Sequence, residues 1–176
     1  HVLAILPFEP EVSQTLSGPA CSYVGHLLIE RVDTLRPGPG ERSSIDESQR
    51  HTLLVLPGSR ISEIQRLLEP FGETISLVAA ALGPLDVVLP AVPHLLTAIR
   101  AGVAEWEVQP RIVEGEDEKL AAFRQAHAAL AASGTVTLEL GLAGVPMVVA
   151  YRVDPFAKWF KLFLRAKSIV LSNLVL

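Results

Sequence analysis

Short apolar runs alternate with longer amphipathic stretches along this chain, and that order admits few folds. A short apolar run followed by a helix-length segment is the pattern of βαβ units, in which helices cover a mostly parallel sheet. Strands are expected at Val2–Leu6, Ser22–Val24, Thr52–Leu56, Asp86–Leu89, Ala128–Ala131 and Met147–Ala150. Several are apolar without alternation, as a strand buried on both faces requires. Helices are expected at Ser62–Leu82, His94–Arg100, Glu116–Gln125, Thr135–Ala143 and Pro155–Ala166, where apolar residues recur at three and four with Gly or Pro near an end. Pro70 and Gly72 should kink or split the first of these. The fold class expected is α/β, a Rossmann-like parallel sheet with helices on both faces.

Residues 36–44, Arg-Pro-Gly-Pro-Gly-Glu-Arg-Ser-Ser, combine Pro, Gly and charge without apolar periodicity and read as an exposed loop or linker. The organisation expected is residues 1–35 as the end of one unit, 36–50 as the connection and 51–176 as the Rossmann-like domain. The chain opens on an apolar run without an initiator methionine and ends on Leu174-Val175-Leu176, so both ends are expected to be cut from a longer protein.

Hydrophobic residues make up 49% of the chain and charged residues 19%, which excludes a disordered chain. A net charge of −4 opposes nucleic acid as a partner, because such surfaces are usually basic on one face. The single cysteine, Cys21, cannot form an internal disulfide, and the scattered histidines offer no zinc spacing. A reducing, cytoplasmic compartment fits. No apolar run reaches the ~18–20 residues of a membrane span, and the start lacks the basic region and cleavage site of a signal peptide. Cys21 is expected to be a small buried residue; His26 reads as structural or solvent-facing rather than as a hinge or substrate contact, and His51, His94 and His127 receive no role.

Two strand-loop-helix junctions carry candidate chemistry. In the first, Leu53-Leu54-Val55-Leu56 breaks at Pro57-Gly58 and runs through Ser59-Arg60 into an amphipathic helix. Gly58 lets backbone approach a ligand, the helix start favours an anion, and Arg60 supplies a planar, permanent cation suited to a phosphate or diphosphate. The same residues also make an ordinary tight turn, with a serine cap and an Arg60–Glu63 surface pair. In the second, the strand at 128–132 delivers Ser133-Gly134-Thr135 to a helix start, with Glu139 one turn beyond. A carboxylate set just past such a turn can accept hydrogen bonds from ribose hydroxyls. A capped helix with a solvated Glu139 is the alternative.

Several segments together resemble the lipid-A-disaccharide synthase family. They are Leu-Pro-Gly-Ser-Arg-x-x-Glu-Ile at 56–64, Ala-Ser-Gly-Thr-x-x-x-Glu at 132–139, and Gly144-Val145-Pro146-Met147-Val148-Val149-Ala150-Tyr151-Arg152. Leu6-Pro7-Phe8-Glu9, Tyr23-Val24-Gly25-His26 and Ser172-Asn173-Leu174 extend the similarity over nearly the whole chain. The resemblance implies one half of a two-domain, B-type, inverting glycosyltransferase. That enzyme transfers 2,3-diacylglucosamine from its UDP conjugate to 2,3-diacylglucosamine 1-phosphate, giving a β(1→6) disaccharide and UDP. It implies no cofactor and no metal.

Carried over by motif, Gly58, Ser59 and Arg60 would hold the diphosphate, with Glu63 grouped beside them. Ser133, Gly134 and Thr135 would add donors, Glu139 would bind the ribose, and Asn173 matches a further polar position of the site. Residues 1–35 would then be the tail end of an acceptor domain. That domain, ahead of Leu3, should carry the catalytic base, so no base is assigned to this chain. The family's C-terminal helices would also be missing, which makes a homodimer or domain exchange an expectation.

Pro155 to Lys167 places Phe156, Trp159, Phe160 and Phe163 at helical spacing among Lys158, Lys161, Arg165 and Lys167. Such a helix suits the inner-membrane surface, which acylated substrates favour, or a core with a solvated basic face. Two further readings stay open: another UDP-sugar enzyme of this architecture, such as a UDP-N-acetylglucosamine epimerase or a peptidoglycan glycosyltransferase, and a non-catalytic module that docks on a membrane or a partner.

Overall fold

The computed structural model describes residues 1–45 and 50–152. Five parallel strands form the main sheet: β3 (His51–Leu56), β4 (Leu85–Ala91), β5 (Arg111–Glu114), β6 (Ala128–Ala132) and β7 (Met147–Ala150). Their spatial order is β5-β4-β3-β6-β7, with Leu56 beside Ala131 and Leu54 beside Val88. The chain therefore builds outward from β3 in one direction and returns to build outward in the other. The order reverses between β3 and β6, and a crevice opens there beyond the carboxyl ends of the strands.

Both sheet faces are buried, as the unbroken apolar runs require. Alternation along β3 sends Val55 to one side and Leu54 and Leu56 to the other. Val55 joins Val87, Leu89 and Leu130 under α3 (Ile61–Leu82) and α4 (Leu96–Val103). Leu54 and Leu56 join Val88, Ala129 and Ala131 under α5 (Glu116–Gln125) and α6 (Val136–Leu142), around the fully enclosed Phe123. The expected α/β sheet covered on both faces is thus the architecture found.

Several expectations need correction. Helix α3 runs unbroken through Pro70, with Phe71 and Ile75 buried just beyond it. Proline removes one ladder donor and costs about 3 kcal/mol in an isolated helix; packing of that buried face offsets it. Gly72 is no breaker either, because a Cβ there would lie 2.6 Å from Trp106 Nε1. Its missing side chain is the space in which the indole packs. The strand β5 was not expected at all: only Ile112 and Val113 are apolar in it, between Arg111 and Glu114.

Ahead of the main sheet, β1 (Val2–Ala4) and β2 (Cys21–Tyr23) pair in parallel around α1 (Glu9–Thr15). The first strand is shorter than expected because the Leu6 amide donates to Glu9 Oε2 at 2.7 Å and turns the chain. Cys21 is half-buried rather than buried. A 3-10 turn at Leu27–Arg31 and the short α2 (Val32–Leu35) follow, and Leu35 sits inside the Phe123 cluster.

Residues 36–45 form no helix or strand but are fastened to the domain. Arg36 Nε donates to the Leu142 carbonyl at 3.2 Å, and Arg124 Nε pairs with Glu41 at 3.0 Å. Arg42 donates to the carbonyls of Phe123, Ala143 and Gly144 at 3.2, 3.1 and 2.9 Å, at the ends of α5 and α6. Burial among these carbonyls lowers its basicity, while the negative ends of two helices favour its charge. Arg42→Met should cost about 1–2 kcal/mol, since the carbonyls lose their donor. A thermal melt reads this as a drop of roughly 2–8 °C, and an unchanged midpoint would mean the contacts are worth nothing.

His127, given no role above, has a structural one: its Nδ1 accepts from the Thr52 amide at 2.9 Å, and its other ring nitrogen meets Ser43.

Candidate functional site

The first junction ends β3 and begins α3. Pro57 and Gly58 break the strand, and Gly58 takes φ +113°, a conformation that side chains rarely adopt. The turn is tied by Glu63. Its Oε2 accepts from the amides of Ser59 and Arg60 at 2.9 and 3.3 Å, and its Oε1 accepts from Arg60 Nη1 at 2.8 Å. A carboxylate thus stands where the helix start favours an anion. The pair expected from the three-residue spacing is present, and Arg60, with 78% of its side chain exposed, stands over the opening. Both Glu63 oxygens are engaged by its own loop and tie the turn.

The second junction ends β6 and begins α6. The Ser133 amide donates to the Ala150 carbonyl at 3.2 Å, tying the turn to β7. Thr137 Oγ1 donates to the Gly134 carbonyl at 2.7 Å and fixes the loop from the buried side. Thr135 occupies the cap position without a side-chain cap. A Cβ on Gly134 would meet nothing within 4 Å, and its φ is not in the left-handed region. Neither packing nor backbone strain demands glycine there.

Both junctions face one open cleft of about 630 Å³ at the reversal between β3 and β6. Gly58, Ser59, Arg60 and Glu63 line one wall; Ser133, Gly134, Thr135 and Glu139 line the other. The size falls within the ~300–1,000 Å³ common for small-molecule sites. The end of β4, Pro90 to Val92, and the start of α5 complete the lining. Asn173 and the helix expected at 155–166, with Phe156, Trp159, Phe160 and Phe163, lie outside the described residues.

One lining residue escaped sequence reasoning. Lys119 of α5 reaches Glu139 of α6, with its Nζ 2.9 Å from Oε2 and 3.1 Å from Oε1. Twenty residues separate them, and Lys119 follows the acidic run Glu116-Asp117-Glu118, which reads as a solvated helix start. Glu116 bonds Arg31, whose guanidinium, joined by Lys119, holds its carboxyl below the ordinary range. Among the described residues no group of three or more His, Cys, Asp or Glu side chains is placed to hold a metal ion.

A family model described as lipid-A-disaccharide synthetase matches residues 1–176 of this chain. The chain belongs to that family. It is 54% identical over 177 residues to the lipid-A-disaccharide synthase of Nitrobacter winogradskyi and 53% identical over 176 to that of Rhodopseudomonas palustris strain HaA2. A more distant relative in Rhodospirillum centenum is 40% identical over 184 residues. These alignments take in 99–100% of this chain but only 44% of each relative, so the chain spans less than half their length. Both junctions of the cleft therefore lie inside the matched part of a synthetase-family sequence.

Proposed function

We propose that this chain supplies the UDP-sugar site of a lipid-A-disaccharide synthase, an inverting transferase acting on UDP-2,3-diacylglucosamine and 2,3-diacylglucosamine 1-phosphate. The observation that carries the proposal is the convergence of two loop-helix junctions, bearing Arg60 and Glu139, on one cleft at the sheet's reversal point. Crevices at that point are where such sheets hold nucleotides. The names of the relatives support the substrate assignment.

On this reading the diphosphate lies along the first junction. Arg60 and the loop amides meet the charge that grows on UDP as the glycosidic bond breaks, a charge better stabilised by fixed donors than by water. Because Glu63 already covers two of those amides, an incoming diphosphate either displaces its carboxylate or takes its charge from Arg60 and the Gly134–Thr135 backbone. Glu139 accepts from the ribose hydroxyls. The base that deprotonates the acceptor 6-hydroxyl is assigned to polypeptide outside this chain, in an acceptor domain whose last part is residues 1–35, with 36–50 as the connection. Leu3, Tyr23, Val24 and Leu27 stand exposed on that first unit, which supports its packing against further polypeptide, in the same chain or in a second copy.

No described helix is long and apolar enough to cross a membrane. The acylated substrates and the aromatic, basic stretch 155–167 support a peripheral place on the inner-membrane surface.

The test is transfer by the full-length protein. UDP-2,3-diacylglucosamine with the acyl-glucosamine 1-phosphate should yield disaccharide and UDP in equal amounts, and UDP-N-acetylglucosamine should not react. Turnover of the unacylated donor alone would point instead to an epimerase or a peptidoglycan-type transferase, and would end the proposal.

A further inference from the structure

We propose that Lys119 is a positioning residue for the nucleotide, acting through Glu139 to present that carboxylate to the ribose hydroxyls. The inference rests on the reading of Glu139 as the ribose acceptor and adds a residue that no motif of the sequence singles out. Three observations carry it.

The first is the pairing itself. A single ammonium bridges both oxygens of Glu139, at 2.9 and 3.1 Å. A carboxylate offers roughly four acceptor positions, so one ammonium still leaves positions for a vicinal diol approaching from the cleft. The second is burial. Only 13% of the Glu139 side chain and 24% of the Lys119 side chain are exposed. This is not a solvated surface pair, and a largely enclosed carboxylate stripped of its cation would lose the contact that holds it in place.

The third is that Lys119 is itself held from two sides. Its ammonium lies 5.5 Å from the ring centroid of the enclosed Phe123, a favourable cation–π distance. Its other acidic neighbour, Glu116, is engaged by Arg31 and stands 3.8 Å away, beyond hydrogen-bond reach. Arg31 therefore occupies Glu116 and leaves the Lys119 hydrogen bonds to Glu139. The lysine fixes the position of the Glu139 carboxylate relative to α5, and so relative to the end of β5 and the opposite wall of the cleft.

The experiment compares UDP with 2′,3′-dideoxy-UDP, which keeps both phosphates and the base but lacks the diol, by calorimetric titration of the full-length protein. Wild-type protein should prefer UDP. Lys119→Gln should lose about 10-fold in UDP affinity, the size of one well-placed hydrogen bond, and less than 2-fold toward the dideoxy ligand. Lys119→Arg should restore most of the preference. A loss equal for both ligands would show Lys119 acting on the phosphates or on the fold, and would overturn the inference. If the Gln variant melts early, Lys119→Met is read by the same ratio of affinities, which a general loss of folded protein leaves unchanged.

Glu139→Gln separates this idea from the reading beneath it. If that variant keeps the wild-type preference for the diol, the ribose assignment fails. If it loses the preference while Lys119→Gln keeps it, the ribose assignment stands and only the role of Lys119 falls.

Discussion

Replacing Arg60 by alanine should weaken UDP binding by about 10- to 100-fold while leaving the protein as stable as before. The guanidinium is exposed and packs into no core, so its removal opens no cavity. Its ion pair with Glu63 is on the surface, where such pairs are worth roughly 0–1 kcal/mol. A hydrogen bond to a charged group is worth about 1.5–3 kcal/mol, which gives the range of affinity stated. Arg60→Lys should recover only part of it, because a lysine presents a point charge in place of a planar fork. Titration with UDP, together with a thermal melt, reads both quantities. Weakened binding with a fallen midpoint would mean that the fold had been damaged, and unchanged binding would remove the diphosphate from this junction.

Gly58→Ala should do both kinds of harm. The backbone there has φ +113°, and a Cβ would overlap Glu63 Oε2 and lie 2.7 Å from Glu63 Cβ. A non-glycine residue in such a conformation costs about 1–3 kcal/mol before any overlap is relieved. Relief requires Glu63 to leave the amides of Ser59 and Arg60, which unties the turn that aims Arg60. Binding of UDP should fall more than about 100-fold, from lost phosphate contacts of the size already given, and the melting midpoint should drop. Gly134→Ala is the informative contrast. No steric or backbone penalty attaches to it, so stability should hold while UDP binding weakens, because the added methyl stands where ligand would lie. If Gly134→Ala binds UDP as wild type does, the second wall of the cleft is not in contact with the nucleotide.

The main sheet was readable because its strands are short, apolar and followed by helices with a clear period. Met147–Ala150 and the helix Glu116–Gln125 lie where the pattern put them. The strand Arg111–Glu114 escaped because two apolar residues between charges carry no period, and its place is set by pairing with β4. Helix Glu9–Thr15 buries none of its residues, so it shows no apolar stripe to read. Pro70 and Gly72 misled for one reason. Local rules treat them as breakers, whereas the buried face of α3 and the ring of Trp106 decide the outcome.

At the cleft the two junctions were legible as motifs. Their meeting was not, since it depends on the strand order that brings β6 beside β3. Lys119 was invisible for the same cause: its partner is distant in sequence and meets it only because α5 and α6 cover the same face of the sheet.

The most direct measurement is a crystal structure of the full-length protein with UDP. The diphosphate should lie beside Arg60 at the end of β3, and the ribose hydroxyls within hydrogen-bond distance of Glu139. A nucleotide bound away from the crevice between β3 and β6, with Arg60 and Glu139 both untouched, would contradict the site proposed for this chain.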